Sequence, residues 1–372
     1  MRFAFVTSQA FTLINFRGPL ISKLIAEGIV VFALAPDYDK QSRESIYALG
    51  ATPIDCALSR TGINPFVDII NTFKLALTLA QANLDVVLCY STKPVIFGTI
   101  AAFLARVPKR IAMIEGLGFV YTANSEKLTI IRMLLKNIVS LLYRFALSLA
   151  DKVIFLNDDD INDFLKSNLV SVKKVIKLGG IGVDLDEWKP TPLPLNPVTF
   201  VLAARLLREK GIVEYAEAAK KVKNKYPSTR FLLLGSLDKN PGSLSESEVL
   251  TWVSQDIIEW PGQVSVKDWY SKASVFVLPS YREGVPRSTQ EAMAMGRPVI
   301  TTLVPGCKDT VVEGVNGFLV LPRDADALAN VMIKFVEQPD LIEKMGAASH
   351  VLANSRFDVH KINSTLLSII FK

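Results

Sequence analysis

The sequence predicts an α/β protein built from two doubly wound parallel-sheet domains, and three observations predict it. Apolar strand-like runs alternate with helix-length stretches through both halves of the 372 residues, the pattern of repeated β-α-β units. A proline-rich break interrupts that alternation once, near the middle. Half of the residues are hydrophobic, enough for two cores at roughly 150 residues per domain.

Taken in order, FAFVT at 3–7 reads as the first strand, with a helix expected from 17 to 27. VVFALA at 30–35 is a second strand, followed by a helix over 41–49. Asn64 and Pro65 supply a cap and a preset first turn for a helix reaching 83. VVLCY at 86–90, a helix over 94–105 and RIAMI at 110–114 continue the alternation, and KVIFL and KVIKL at 152–156 and 174–178 complete the half. KPTPLPLNP at 189–197 places four prolines in eight positions, which neither a helix nor a central strand accommodates, so it reads as the interdomain linker. The second set comprises VTFVLAA at 198–204, a helix over 209–226, RFLLLG at 230–235, DIIEW at 256–260, ASVFVLP at 273–279 and PVITT at 298–302. ASVFVLP is small and β-branched without alternation, as a strand buried on both faces must be. The expected domains are therefore 1–188 and 198–355, with a last helical segment over 356–372.

The formal net charge is +6. Residues 1–185 hold 20 Lys and Arg against 15 Asp and Glu, the rest 22 against 21, so the basic excess sits in the first half. It suits nucleic acid, anionic lipid or phosphate-bearing substrates without choosing among them. Three widely spaced cysteines, Cys56, Cys89 and Cys307, lack zinc spacing and point to a reducing compartment. MRFAFVTSQAF reads as a strand, not a signal peptide, and no uncharged apolar run reaches the roughly 18 residues needed to span a bilayer.

The most informative stretch is 279–320, which predicts a strand, a polar loop, a helix with Pro286 in its first turn, and a returning strand. Loops of this kind lie at the carboxyl edge of the sheet, where open α/β sheets bind ligands. Free N–H groups around Pro286 to Thr289 would face an anion docked on the helix start. Glu283 in the loop and Glu291 in the helix flank that point. A diphosphate there, with Glu283 on sugar hydroxyls and Glu291 on ribose hydroxyls, suits a nucleoside diphosphate-sugar. The alternative is that both glutamates are solvated surface charges.

EGVPRSTQEAMAMGRPVI, at 283–300, resembles the signature of glycosyltransferase family 4, which implies the retaining GT-B class: two Rossmann-like domains facing a central cleft. On that resemblance Glu283 and Glu291 are the family's paired glutamates, and Arg205 and Lys210 in AARLLREKG are its cations for the departing diphosphate. Glu283, Arg205 and Lys210 are the expected catalytic residues. Glu291, Gly284, Pro286, Arg287, Ser288 and Thr289 would hold the donor, with Gly235 beside it and Gln263 near the nucleotide base. FRGPL, STKPVIFGTIAA and EGLGF in the first half are similar to bacterial enzymes that extend undecaprenyl diphosphate-linked oligosaccharides, N-acetylgalactosaminyltransferases among them. The family's last helix crosses back to the first domain, which gives the same expectation for 356–372.

FRGPL places Arg17 and Gly18 at the loop after the first strand, opening a helix. Arg17 and Lys93 are then expected to attract either the acceptor's lipid diphosphate or the donor's phosphate, with Gly18 on the donor side. Glu115 and Gly116, after RIAMI, would line the acceptor pocket. The only histidines are His350 and His360, so the histidine that many family members place in the first domain is missing.

Residues 127–150 form a long helical stretch in which Arg132, Lys136, Ser140, Arg144 and Ser148 recur every fourth position. Two readings stand: a buried core helix with a solvated stripe, or a helix whose apolar side meets an anionic membrane surface. The Asp-x-Asp pairs 37/39, 158/160, 184/186 and 324/326 could chelate a divalent ion but are read as turn and cap residues. GGIG at 179–182 reads as a hinge, not a dinucleotide fingerprint. The expected function is a metal-independent, cofactor-free enzyme on the cytoplasmic membrane's inner face. It would move a sugar from a UDP-sugar to a polyprenyl diphosphate-linked acceptor, with no nucleic-acid partner. A nucleotide-sugar epimerase of the same fold and a catalytically silent subunit are the competing readings.

Overall fold

The structure is a computed structural model that describes residues 1–58, 64–117, 130–238, 240 and 242–371. It divides into two compact units, Met1–Ile181 with His360–Lys372, and Gly182–Val359. The first comprises β1 (Arg2–Val6), α1 (Ala10–Ala26), β2 (Val30–Ala35), α2 (Lys40–Ala48), β3 (Thr52–Asp55), α3 (Pro65–Gln81), β4 (Val86–Tyr90), and a π-helical turn (Pro94–Gly98) leading into α4 (Thr99–Leu104). It continues with β5 (Lys109–Ile114), α5 (Ile130–Leu149), β6 (Lys152–Phe155), α6 (Asp158–Lys166) and β7 (Val175–Lys177).

The second unit runs through β8 (Thr199–Ala203), α7 (Ile212–Lys225), β9 (Arg230–Leu234), α8 (Glu246–Ser254), β10 (Glu259–Gly262), α9 (Val266–Tyr270), β11 (Val275–Leu278) and α10 (Arg287–Ala294). β12 (Val299–Thr302), β13 (Gly317–Val320), α11 (Ala325–Glu337) and α12 (Asp340–Arg356) follow, and α13 (Val359–Phe371) closes the chain.

Both sheets are parallel. Their orders are β3-β2-β1-β4-β5-β6-β7 and β10-β9-β8-β11-β12-β13. Each order reverses once, between β1 and β4 and between β8 and β11, and that reversal opens a crevice at the strands' carboxyl ends. The apolar runs follow from burial on both faces. In the first sheet Phe3, Phe5, Leu88 and Met113 face α1, α2 and α13. Val6, Cys89, Ala112 and Phe155 face α3, α4 and α5 on the other side. α13 belongs to the first unit through Leu366, Leu367 and Ile370 in that core.

Several sequence expectations shift. α1 starts at Ala10, not near residue 17, and runs through Pro19. Its first N–H is held by Asp37 Oδ1 at 2.7 Å, a cap supplied from 27 positions away. Buried Leu13, Leu20, Ile21 and Leu24 outweigh the hydrogen bond that a proline deletes. β10 lies at Glu259–Gly262 rather than 256–260. β3 and β13 extend the two sheets beyond the runs the sequence singled out.

The linker expectation is corrected. The boundary between units falls at Ile181/Gly182, inside GGIG, where Gly179, Gly180 and Gly182 all have positive φ. The proline-rich segment belongs to the second unit. Buried Arg297 holds it there. Its Nη1 donates to Thr191 O (2.8 Å) and Met295 O (2.7 Å), and its Nη2 to Thr191 Oγ1 (2.7 Å), Pro192 O (3.1 Å) and Ser271 O (3.2 Å). Nε donates to Tyr270 O (2.9 Å). Burial pushes the guanidinium down to about 10, still charged at neutral pH. Leu193 and Leu195 pack on the adjoining core. A proline run saturated by one guanidinium is therefore a wall of the domain.

Arg297→Met would deprive the partly buried carbonyls of Thr191, Pro192 and Ser271 of their donor, each costing about 1–3 kcal/mol when unpaired. We expect the second unit to lose at least ~3 kcal/mol in urea unfolding. Trp188, Trp252, Trp260 and Trp269 all lie in that unit, so intrinsic fluorescence reads it. An unchanged midpoint would show that the segment holds without its anchor.

Candidate active site

At the second sheet's reversal, three loops interlock. Gly211 after β8 has φ +70, and a Cβ there would sit 2.1 Å from Pro279 O; only glycine allows this approach. Tyr281 N–H donates to Glu209 O at 2.9 Å and Glu283 N–H to Pro305 O at 3.1 Å. Gly306, φ +78, would drive a Cβ to 2.3 Å from Glu283 O and 2.4 Å from Gly284 O. These contacts bring Lys210 and Glu283 together across 73 positions: Lys210 Nζ donates to Glu283 Oε1 at 2.5 Å. Ser280 Oγ donates to the same oxygen at 2.8 Å.

Both side chains are only 15% exposed. Burial alone would lower the Lys210 ammonium, but the field and hydrogen bond of Glu283 outweigh it and raise the group. The raised value keeps the ammonium charged until pH climbs past its ordinary 10.5, so the pair is intact throughout the neutral range. Cys307 lies beside it, its thiol pushed up to about 12 by burial and by Glu283, hence neutral.

α10 starts at Arg287 with Pro286 as N-cap and no side chain capping it. Pro286, having no side-chain oxygen, offers the first-turn N–H groups of this helix no cap acceptor. Thr289 is fully buried, and its Oγ1 has no hydrogen-bond partner among the described residues. Arg287 Nε donates to Glu291 Oε1 at 2.8 Å. Burial raises the Glu291 carboxyl, an effect that Arg287 only partly offsets. Gln290 fixes the helix start, accepting from Gly182 N–H (3.0 Å) and donating to Val285 O (3.1 Å).

Arg205 does not join the Lys210–Glu283 pair. It is exposed, and its Nη1 donates to the nearly buried Asp238 at 2.8 Å. Gly235, φ +142, is required by packing: a Cβ would lie 1.9 Å from Ala204 O. Its carbonyl accepts from Trp260 Nε1 at 2.9 Å. Gln263 is exposed beyond β10. The sequence did not reveal Ser280, Asp238 or the Gly306 contact. Gly306, in VPG after a strand, carried the only signal, a turn glycine.

The first unit corrects other expectations. Arg17 and Gly18 lie two turns inside α1, so neither meets a helix start. Arg17 is 2% exposed, donates to Glu115 Oε1 and to Met113 Sδ, and lies over the Tyr90 ring at 4.8 Å. Gly18 faces only Leu49, at ordinary contact distance. Lys93 is not a solvated loop lysine: Nζ donates to both carboxylate oxygens of buried Asp68, at 2.8 and 3.1 Å. Glu115, which holds Arg17, and Gly116, φ +146, follow β5 at the sheet's carboxyl edge. Gly118 and Phe119 of EGLGF lie outside the described residues.

Seven of the eight carboxylates in the Asp-x-Asp pairs have partners within the chain. Asp39 and Asp324 cap α2 and α11. Asp37 caps α1, Asp158 binds Lys177, Asp326 binds Lys221 and Asp184 accepts Asp186 N–H. Asp160 is buried against Asn157.

Comparison with known proteins agrees with this geometry. Residues 10–157 match the family model Glycosyl transferase 4-like, and residues 197–338 match Glycosyl transferases group 1. The chain is 28% identical to N,N'-diacetylbacillosaminyl-diphospho-undecaprenol alpha-1,3-N-acetylgalactosaminyltransferase of Campylobacter jejuni, over 92% of this chain and 91% of that one. It is 28% identical to UDP-Gal:alpha-D-GlcNAc-diphosphoundecaprenol alpha-1,3-galactosyltransferase of Escherichia coli, over 74% and 71%. The fold is shared with Anabaena Alr3699/HepE, solved with UDP (TM-score 0.76, 17% identity, 99% of both chains). With both halves matched by glycosyltransferase models, the chain is a glycosyltransferase of the GT-B fold.

Proposed function

We propose that the enzyme transfers a hexose or N-acetylhexosamine from a UDP-sugar to a polyprenyl diphosphate-linked sugar, with retention of configuration and without a metal. The reading rests on the buried Lys210–Glu283 pair beside the uncapped start of α10. The relatives' diphospho-undecaprenol acceptors and the UDP-Gal donor of one support it.

In the proposed step the bond from the anomeric carbon to the β-phosphate oxygen breaks, and UDP departs. The acceptor hydroxyl oxygen bonds to that carbon on the same face, and its proton passes to the departing phosphate. The α10 N–H groups, Lys210 and Arg205 take the developing negative charge. Glu283 Oε1 is held by Lys210 and Ser280, so Oε2 is the oxygen aimed at sugar hydroxyls. Glu291 receives the ribose hydroxyls, with Arg287 sharing the carboxylate. Lys93, Glu115 and Gly116, from the first unit's carboxyl edge, serve the acceptor, Arg17 acting through Glu115.

On this reading, a lipid-linked acceptor calls for an enzyme working at the inner face of the cytoplasmic membrane. Among the described residues no helix is long and apolar enough to cross a membrane. α5 packs on one side only: Tyr143, Ala146 and Leu147 are buried, while Leu134, Ile138, Leu141 and Phe145 are exposed. A helix buried all round does not fit that distribution. Residues 127–129 of the expected amphipathic stretch lie outside the described residues.

The test is incubation with a labelled UDP-sugar panel and lipid-linked acceptors, with and without EDTA. Transfer to lipid, unaffected by EDTA, is expected; donor isomerised without transfer, or no turnover, overturns the proposal. Lys210→Ala should lower kcat about 10²–10³-fold, the 2.7–4 kcal/mol typical of a lost charge-stabilising donor, with unchanged fluorescence of the folded enzyme. Near-normal turnover would remove Lys210 from the site.

Glu291 carries a raised carboxyl, so it protonates at higher pH than an ordinary glutamate. Donor kcat/KM should therefore fall on the acid side above pH 4.5. Glu291→Gln should abolish that limb and raise donor KM about 10- to 100-fold, the 1.5–3 kcal/mol of a charged hydrogen bond. An acid limb that survives the substitution belongs to another group.

A further inference from the structure

We propose that the outward face of α3, with the outer faces of α4 and α5 beside it, is a docking surface for an anionic lipid bilayer. The inference rests on the membrane-acceptor reading and deepens it by naming a second helix and the side chains that enter the lipid.

α3 distributes its residues in an unusual way. Its inner side supplies Leu75, Ala76 and Leu79 to the core. The opposite side, where a water-facing helix normally carries polar groups, exposes Phe66, Ile69, Ile70, Phe73 and Leu77. These recur at i, i+3, i+4, i+7 and i+11, which is one helical face. Phe66 is 79% exposed.

α4 packs between α3 and α5 on the same side of the sheet, and its Phe103 and Leu104 are exposed too. α5 repeats the pattern with Leu134, Ile138, Leu141 and Phe145, Leu141 being 68% exposed. Three neighbouring helices thus turn apolar residues outward. Contiguous exposure of this kind marks a docking surface, unlike scattered single residues.

Charge identifies what docks. Lys74, Arg106, Lys136 and Arg144 are exposed on or beside these helices. The one acidic residue that α3, α4 and α5 contain, Asp68, is buried and holds Lys93. α6, next to α5 through the Tyr143–Phe164 ring contact, opens on Asp158 and Asp159, so the basic apolar surface stops there. Phenylalanines and aliphatics ringed by cations suit an interface of acyl chains beneath anionic headgroups. A second copy of the chain would set this basic rim against itself, because a two-fold interface pairs like with like.

Flotation of the full chain tests the proposal, using phosphatidylcholine vesicles with or without 30% phosphatidylglycerol (about the anionic content that attracts basic surfaces). The wild type should float only with the anionic vesicles. The triple variant Phe66→Ser, Phe73→Ser, Leu77→Ser should lose at least about tenfold in binding, with an unchanged urea midpoint because these side chains leave the core untouched. It should still transfer sugar to a short-chain, water-soluble prenyl diphosphate acceptor while losing transfer to the full-length acceptor in vesicles. Flotation of the triple variant equal to wild type overturns the α3 proposal. So does a wild-type dimer that the variant dissolves without loss of flotation, which would make the face an interface between copies. If the wild type floats but transfers to neither acceptor, it is the proposed reaction that fails, and the docking surface stands.

Discussion

The contact on which the loop edge of the second unit depends is the ion pair between Lys210 and Glu283. Neither residue is placed by its own helix or strand. Lys210 sits on a tight turn, and Glu283 on a loop whose backbone is clamped from both sides by Gly211 and Gly306. Because both side chains are largely withdrawn from water, each charge is tolerable only beside the other. Removing one leaves a buried, uncompensated charge in its partner. The pair is thus a geometric lock as well as the centre of the proposed reaction.

The same logic extends along α10. Glu291 and Arg287, one turn apart, neutralise each other in a buried setting, and Gln290 ties the helix start to Gly182. Arg297, just past the helix, fixes the proline-rich wall through the carbonyls of Thr191 and Pro192 and the Thr191 hydroxyl. Positive groups therefore surround this helix at its start, its first turn and its end. Carboxylates meet them where a ligand's hydroxyls would need acceptors. A loop between a parallel strand and a helix can hold such an arrangement because the sheet beneath it is rigid.

The first unit pairs the charges at its carboxyl edge differently. Arg17, Glu115, Tyr90 and Met113 form a compact knot beneath the carboxyl ends of β4 and β5. Lys93 and Asp68 form a second one at the start of α3. In both, a cation that the sequence suggested as a free phosphate ligand is already matched by a carboxylate from another element. The partner lies 98 positions away in one case and 25 in the other. No local pattern distinguishes a basic residue bound for such a pair from one that faces solvent.

The sequence by itself determined the fold class, the alternation, the capped start of α3 at Asn64, and the strand–loop–helix unit holding Glu283 and Glu291. Those properties follow from local rules: apolar periodicity, proline's fixed φ, and the burial of parallel strands on both faces. It mistook the start of α1, because the cap comes from Asp37, just past the neighbouring strand β2. It mistook the proline run for a linker, because its anchor is Arg297, a hundred residues later. Tertiary structure alone decided which charges pair: Lys210 with Glu283, Arg205 with Asp238, Arg17 with Glu115. Electrostatic partners are chosen by distance in space, and the chain reveals that distance only once its loops have closed on one another.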